Sequence, residues 1–407
     1  MEKRSQSSLS VSCPGSAGET CGAPLPARAL AVLCLFWLAS LAAGSEAASA
    51  AAEPDRGPGF VVQSAFGGRI FGFDIDQNGN EGLLSEAQDL PGGKVLAAVE
   101  TFDQRTGEIL AIVGKTQTQD DFVTLGVVGT SVGLVEREHV VRPLRVRRSF
   151  RVLDPLDANQ VTGVWTPPIG RDHIVTQVSR SQGTLDAAVF AEDVGGSFEP
   201  FVFSSNVAAN TFGPLIKVTD PNFTFASDPL IALNSQTNEA VLAHATLGQP
   251  FGPPSLALVD LATGGFVEFR GVGTGDVNGL AVDSETGIAC TTTEIDFSVQ
   301  FYDLATHTGF SEFLPGANNQ IFSGADVAVD PVHHVFLVAQ PVSSTAPSGS
   351  SIHVYDESGN LLESLNGFDF SNAFKVVPTH IAVNPSRRTG FVDGPDPDVT
   401  EIQSFTY

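Results

Sequence analysis

The sequence predicts an all-β protein, a β-propeller of four-stranded blades behind a cleavable export signal, on three observations. A two-hairpin phrase recurs along the chain at intervals of about 45 residues, the spacing of propeller blades. Apolar and polar residues alternate in short runs, the period of half-buried strands. Gly (41) and Pro (25) are plentiful while only 16% of the 407 residues are charged, which suits turn-rich β structure better than charged amphipathic helices.

The first element is the leader, residues 1–50. Lys3, Arg4 and Arg28 precede an apolar run, ALAVLCLFWLASLAA, from Ala29 to Ala43, and small residues follow up to Ala48-Ser49-Ala50. That order is a secretory signal, and the run falls short of the ~20 residues a membrane-spanning helix needs. The expected product is a secreted or periplasmic chain that starts near Ala51 and is not an integral membrane protein once cleaved. Cys13, Cys21 and Cys34 leave with the leader, so Cys290 alone remains and no internal disulfide forms. Residues 51–58 are a short linker.

Residues 59–407 read as one propeller domain. The first phrase is a strand ending in Ala-Val-Asp, a turn and a second strand: NGLAVDSETGIACTTT from Asn278, ADVAVDPVHHVFLVAQ from Ala325, THIAVNPSRRTGFVDG from Thr379, and more loosely LIALNSQTNEAVLAHA from Leu230 and LAAVETFDQRTGEILAIV from Leu96. The second phrase is a strand closed by Asp, a turn and another strand: LALVDLATGGFVEF from Leu256, VQFYDLATHTGFSEF from Val299, IHVYDESGNLLESL from Ile352 and IFGFDIDQNGNEGLL from Ile70. Asp283 and Asp330 stand 47 residues apart, and Asp260, Asp303 and Asp356 follow at intervals of 43 and 53. Units fall near 60–92, 93–148, 149–207, 208–273, 274–316, 317–370 and 371–407. The count is seven, with six the alternative because the first unit is short. The last unit ends on its third strand, EIQSFTY, so Gly59 to Phe66 is expected to supply the fourth and remove an open sheet edge.

Lys and Arg number 21 against 46 Asp and Glu, a net charge of -25, which excludes generic nucleic-acid binding because phosphate neutralisation needs clustered cation. One basic island departs from this balance, Arg137, Arg142, Arg145, Arg147, Arg148 and Arg151, read as a strand or loop that pairs with the acidic body or docks an anion.

The repeated phrases resemble the superfamily of secreted bacterial propellers that includes surface-layer-type repeat proteins, gluconolactonase-like hydrolases and streptogramin-type lyases. The likeness implies the fold over nearly all of 59–407. Asn278-Gly279-Leu280 is similar to the Asn-Gly-Leu of the gluconolactonase-like enzymes, and by that resemblance Asn278 would hold a divalent ion. Asp326 stands in Ala-Asp-Val rather than Asp-Gly-Leu, displaced by one residue, and the family's early Glu-Gly-Pro has no counterpart.

First strands of blades line a propeller's central channel, so residues just before Ala-Val-Asp should converge at one mouth. This places Asp228, Asp276, Asn278, Asp326 and His380 near that rim, either as polar strand starters or as ligands of one divalent cation, Ca²⁺ first, given their oxygen donors. The function expected is an acidic, monomeric binding or scaffolding module at the cell envelope, whose partner is an envelope protein, a glycan or a small molecule. The alternative is a metal-dependent lactonase, hydrolase or lyase with Asp326 or His380 as base.

Four other motifs have ordinary readings. Asp74, Asp76, Asn78 and Gly79 imitate a calcium loop but are expected to be a hairpin turn. His333 and His334, taken as strand neighbours, should face opposite ways, and His353 should pack or lie on the surface. Gly129–Gly133 matches a nucleophile elbow around Ser131 outside the strand-to-helix context that motif requires. Asn222-Phe223-Thr224 fits a glycosylation acceptor.

Overall fold

In the computed structural model the described residues are 56–77, 79–91, 94–118, 122–127, 133–141, 145–153, 161–165, 173–180, 186–193, 200–206, 211–218, 230–244, 255–270, 277–293, 298–315, 326–340, 350–368, 380–393 and 400–407. They contain strands and turns and no helix, hence none long and apolar enough to cross a membrane. The leader, Cys13, Cys21 and Cys34, the Ser131 motif and the Asn222 acceptor lie outside them. So do Asn78, Asp228 and Asp276.

Among these residues the strands gather into seven antiparallel sheets. Sheet 1 holds Arg69–Ile75, Glu81–Leu90, Lys94–Asp103 and Ile109–Thr118, and sheet 2 holds Phe122–Val127, Gly133–Val141, Arg145–Leu153 and Val161–Trp165. Sheet 3 runs from His173–Arg180 through Asp186–Asp193 and Pro200–Asn206 to the short pieces Thr211–Phe212 and Ile216–Lys217. Sheets 4, 5 and 6 repeat the four-strand order from Leu230–Asn234, Val277–Asp283 and Asp326–Asp330. Sheet 7 consists of Ile381–Asn384, Thr389–Asp393, Glu401–Thr406 and, from the other end of the domain, Gly57–Gln63. The first strands of successive sheets lie side by side in order, and the first strand of sheet 1 also meets that of sheet 7.

Alternation explains why these strands stack as layers. In Ser255–Asp260 the side chains of Leu256 and Leu258 join the cluster shared with sheet 5, while Ala257 and Val259 join the cluster shared with sheet 3. In Val335–Gln340, Phe336 and Val338 pack toward sheet 5 and Val335, Leu337 and Ala339 toward sheet 7. The core is therefore a set of layers between sheets, in which Phe rings pack among Val, Leu, Ile and Ala. The Phe301 ring meets Phe336 at 5.7 Å and Tyr355 at 5.9 Å, both edge-on, and Phe102 meets Phe391 across sheets 1 and 7 at 5.1 Å. Each such fully buried ring contributes about 1.5–3 kcal/mol.

The expected closing strand forms: Gly57 lies opposite Thr406 and Gln63 opposite Glu401, and Ser404 Oγ donates to the Phe60 carbonyl at 2.9 Å. The units from 274 onward coincide with sheets 5, 6 and 7, but the early boundaries need correction. Ile70 to Leu84 forms the first and second strands of sheet 1, and Leu96 to Val113 its third and fourth, the reverse of the phrase assignment. Units 60–92 and 93–148 are thus replaced by sheets at 69–118 and 122–165, and units 149–207 and 208–273 by sheets at 173–217 and 230–270. The cause is that both hairpins of a blade have one turn chemistry. An Asp closes the strand, its Oδ1 accepts backbone N–H groups two and three residues on, as at Asp260, Asp283, Asp303 and Asp330, and a left-handed residue follows. That position is Gly264, Gly287 or Gly359, but also Asn238, His307, His334 and Arg388, with φ between 53° and 78°.

Candidate channel-mouth site

In five of the seven sheets, 1, 4, 5, 6 and 7, the first strand ends in or just before a buried Asp or Asn: Asp76, Asn234, Asp283, Asp330 and Asn384, none more than 2% exposed. Two residues earlier stand Asp74, Ala232, Ala281, Ala328 and Ala382, and four residues earlier Gly72, Leu230, Gly279, Asp326 and His380. The first strands of sheets 4 to 7, with Gln77 of sheet 1, enclose a hollow of about 150 Å³ lined by Ala232, Ala281, Ala328 and Ala382 among others. Asp326 and His380 open their strands two residues before this alanine layer.

Gly279 shows how closely the first strands approach. A Cβ there would lie 2.8 Å from both Asp326 Cα and Val327 N, so the strand of sheet 5 abuts the start of sheet 6 with room only for hydrogen. The Asn-Gly-Leu triplet is thereby accounted for by close approach. A bulge between Val277 and Gly279 leaves the half-buried Asn278 outside the pairing ladder.

Asp326 and His380 are brought together. Asp326 Oδ1 accepts the Val327 N–H at 2.8 Å and Oδ2 the Ile381 N–H at 3.1 Å, and His380 Nδ1 lies 3.9 Å from Oδ2. Burial pushes the Asp326 carboxyl up to about 7, its two backbone donors pull the other way, and the charge of Asp74 adds to the rise. The side chain still keeps 20% of its surface open to solvent. The His380 backbone N–H donates to Asp393 Oδ2 at 3.2 Å, and its ring stands edge-on to Phe73 with centroids 6.3 Å apart. This arrangement can accept hydrogen bonds, exchange a proton near neutrality and attract a cation. Among the described residues no three His, Cys, Asp or Glu side chains converge as a metal would require.

Sequence reasoning missed Asp74 as part of this cluster. Its signal was available: Asp74 precedes Asp76 by two residues, where Ala precedes Asp283, Asp330 and Asn384. The loop after it is the expected hairpin, joining Asp74 opposite Leu83 and Ile75 opposite Gly82.

The two histidines at 333 and 334 are corrected. Both lie in a turn rather than on a strand, and each is partly exposed and reaches a different carboxylate: His333 Nδ1 is 2.7 Å from Asp330 Oδ2, and His334 Nδ1 is 2.8 Å from Asp283 Oδ2. His353 is packed, 2% exposed, with Nδ1 2.9 Å from Ser364 Oγ and Nε2 2.6 Å from Gln340 Oε1; burial pulls its pKa down to about 4. Cys290 is fully buried, which holds the thiol well above its usual range. Of the basic island, Arg137 lies on Gly133–Val141, and Arg145, Arg147, Arg148 and Arg151 on Arg145–Leu153, the central strands of sheet 2; their side chains fall outside the described residues.

No family model matches the chain, and no curated protein matches it. Solved structures do. The RRP9 WD40 repeats superpose with a TM-score of 0.58 at 11% identity over 86% of this chain and 99% of that one. U3-55K gives 0.56 at 12% identity over 86% and 100%. Chaetomium thermophilum Sqt1, solved bound to the N-terminus of the ribosomal protein L10, gives 0.51 at 11% identity over 87% and 100%. These neighbours are WD40 propellers rather than surface-layer-type ones, and at such identity the likeness establishes one thing about this chain: its fold is a β-propeller.

Proposed function

We propose that this chain is an exported binding or scaffolding module, a seven-bladed propeller that engages a protein partner at the channel end marked by Asp326 and His380. The observation that carries the reading is the pairing of a carboxyl and an imidazole at the starts of adjacent first strands, two residues before the alanine layer that lines the hollow. Such a spot gives a partner both charge and hydrogen-bond specificity on a rigid frame. Export is supported by the charged, apolar and small-residue order of residues 1–50, and the net charge of -25 favours a cationic partner surface. The Sqt1 structure gives a propeller neighbour holding a polypeptide N-terminus, which is the class of ligand proposed here. The test places a photo-crosslinking residue at position 380, and as a control at Ser235, a turn residue at the other end of a first strand. A discrete adduct at 380 that is absent from 235, on a chain whose N-terminus lies near Ala51, is the expected result. Equal labelling at both positions, or a retained leader, would overturn it.

A second reading, a divalent-cation site of a lactonase, hydrolase or lyase, is favoured by one observation: the Asp326 carboxyl and the His380 imidazole, two donor types a cation accepts, stand 3.9 Å apart and partly open to solvent. Asp326, His380 and Asn278, with Asp228 and Asp276, would hold the ion, which when bound would polarise a carbonyl or activate water. Thermal unfolding of residues 51–407 with chelator and then Ca²⁺ tests it, since an ion at 100 times its Kd adds about 2.7 kcal/mol. The shift should vanish with Asp326→Ala plus Asn278→Ala.

A further inference from the structure

We propose that Glu86 and Glu100 share a single proton that seals the ring between sheets 7 and 1, making closure of the propeller sensitive to alkaline pH. Both side chains are fully buried on the second and third strands of sheet 1, where Glu86 lies opposite Ala98 and Glu100 opposite Leu84, so the two stand as diagonal neighbours on one face. Their hydrogen bonds are spent in one direction. Glu86 Oε2 accepts Ser64 Oγ–H and, at 3.2 Å, the Gly68 N–H, while Glu100 Oε2 accepts the Ala65 N–H at 3.0 Å. Glu86 Oε1 and Glu100 Oε1 are left buried with no other protein partner. Two buried carboxylate oxygens without donors are strongly unfavourable, and one proton between them satisfies both.

The donors give the pair its place in the fold. Ser64, Ala65 and Gly68 all belong to the five-residue segment that carries the chain from the closing strand of sheet 7 into sheet 1. Ser64 Oγ also accepts the Gly67 N–H at 2.7 Å, and the Ser64 N–H donates to the Thr400 carbonyl at 3.2 Å. The segment is therefore held on one side by sheet 7 and on the other by the acid pair. Titratable neighbours are few. Glu100 faces Glu86 from the third strand, Arg69 and Asp74 stand on the first strand opposite Ala87 and Leu83, and the segment 64–68 and the first strands Phe122–Val127 and Ile381–Asn384 carry no ionisable residue. Burial, with the Glu100 charge, moves Glu86 up to about 8.

The sign follows. A carboxyl whose folded pKa lies above its unfolded 4.5 gives stability that is complete below 4.5 and is lost as pH rises through about 8. Deprotonation puts two charges side by side under the seam, and the segment should detach first.

The experiment follows residues 51–407 between pH 6 and 9 by thermal unfolding and amide hydrogen exchange, with Asp326→Asn in the background to remove another titration in the same pH range. The expected result is a midpoint that falls by several degrees, with exchange at 57–68, corrected for intrinsic rate, faster by about tenfold or more for each unit of pKa displacement expressed. Glu86→Gln, or Glu100→Gln if the first fails to fold, should flatten the profile and raise the pH 9 midpoint above that of the parent. A flat parental profile, or one equally steep in both variants, would overturn the proposal. So would Ca²⁺ restoring the pH 9 midpoint of the parent alone, which would assign the gap to a cation instead.

Discussion

His334 Nδ1 lies 2.8 Å from Asp283 Oδ2, a bond that crosses from the first turn of sheet 6 to the end of the first strand of sheet 5. The same level is stitched elsewhere around the ring. Tyr407 Oη donates to Asp330 Oδ2 at 2.9 Å, Asn384 Nδ2 donates to the Asp76 carbonyl at 3.2 Å, and Ser284 Oγ donates to the Leu233 carbonyl at 3.3 Å. Asn234, Asp283, Asp330 and Asn384 each order their own turn with one atom, and each grips a neighbouring sheet or lies beside such a grip.

Asp283→Ala should therefore destabilise by about 2–4 kcal/mol in urea denaturation, because the Glu285 and Thr286 N–H groups lose their acceptor along with His334. His334→Ala should be milder, under about 1 kcal/mol, since its side chain is 35% exposed. The Asp283 carboxylate raises the His334 pKa, so this contribution is complete below the ordinary 6.5 and fades as pH rises through the folded value. The difference between His334→Ala and the parent should shrink from pH 6 to pH 8.

Gly279→Ala should destabilise by about 1–3 kcal/mol, since its methyl group would meet the backbone at Asp326 and Val327 as well as the buried Thr292 hydroxyl. Gly287→Asn, at φ 72° with open space around its Cα, should change stability by under about 1 kcal/mol, since Asn238 holds the same place in sheet 4. Paired thermal melts distinguish crowding at the first strands from turn strain.

Tyr407→Phe should remove about 1–2 kcal/mol, leaving the buried Asp330 Oδ2 with His333 as its remaining partner. Tyr407→Ala should remove more, about 3–5 kcal/mol, because the ring is 2% exposed and packs against Phe405 and the Arg388 guanidinium. Chemical denaturation of the two variants separates the hydroxyl from the ring.

His353→Gln should make the protein less sensitive to acid. A histidine whose folded pKa is pulled down to about 4 opposes folding as pH falls from 6.5 toward 4, since the unfolded chain takes up the proton first. The slope of stability against pH in that window should be smaller in the variant, measured by urea midpoints.

Strand alternation and repeated turns made the propeller and its last three sheets legible in the sequence, along with the closing strand at Gly57–Gln63. The early boundaries were not, because Asp103 ends a third strand with the same Asp-x-x-Thr-Gly turn that follows the first strand at Asp283. Asp326 and His380 were legible because register alone puts them at one level. The bulge at Asn278 was not, since a bulge is a backbone event with no fixed residue signature. Nothing in the local sequence around Glu86 and Glu100 announces a shared proton, which arises only when distant Ser64–Gly68 covers them.

Closing sheet 7 with Gly57–Gln63 also bears on the order of assembly. Sheets 4, 5 and 6 are built from neighbouring hairpins, whose contacts form early and with little loop entropy. The pairing of Gly57 with Thr406 spans nearly the whole domain and has to wait until Glu401–Thr406 exists. During synthesis the first strand made is thus the last to find its place, and Phe60 and Val61 within it stay available to other chains throughout that interval. A nascent chain is accordingly most exposed to misassembly at this one strand, and a circular permutant that begins at 64 and carries 57–63 after Tyr407 should fold faster with the same strand pairing.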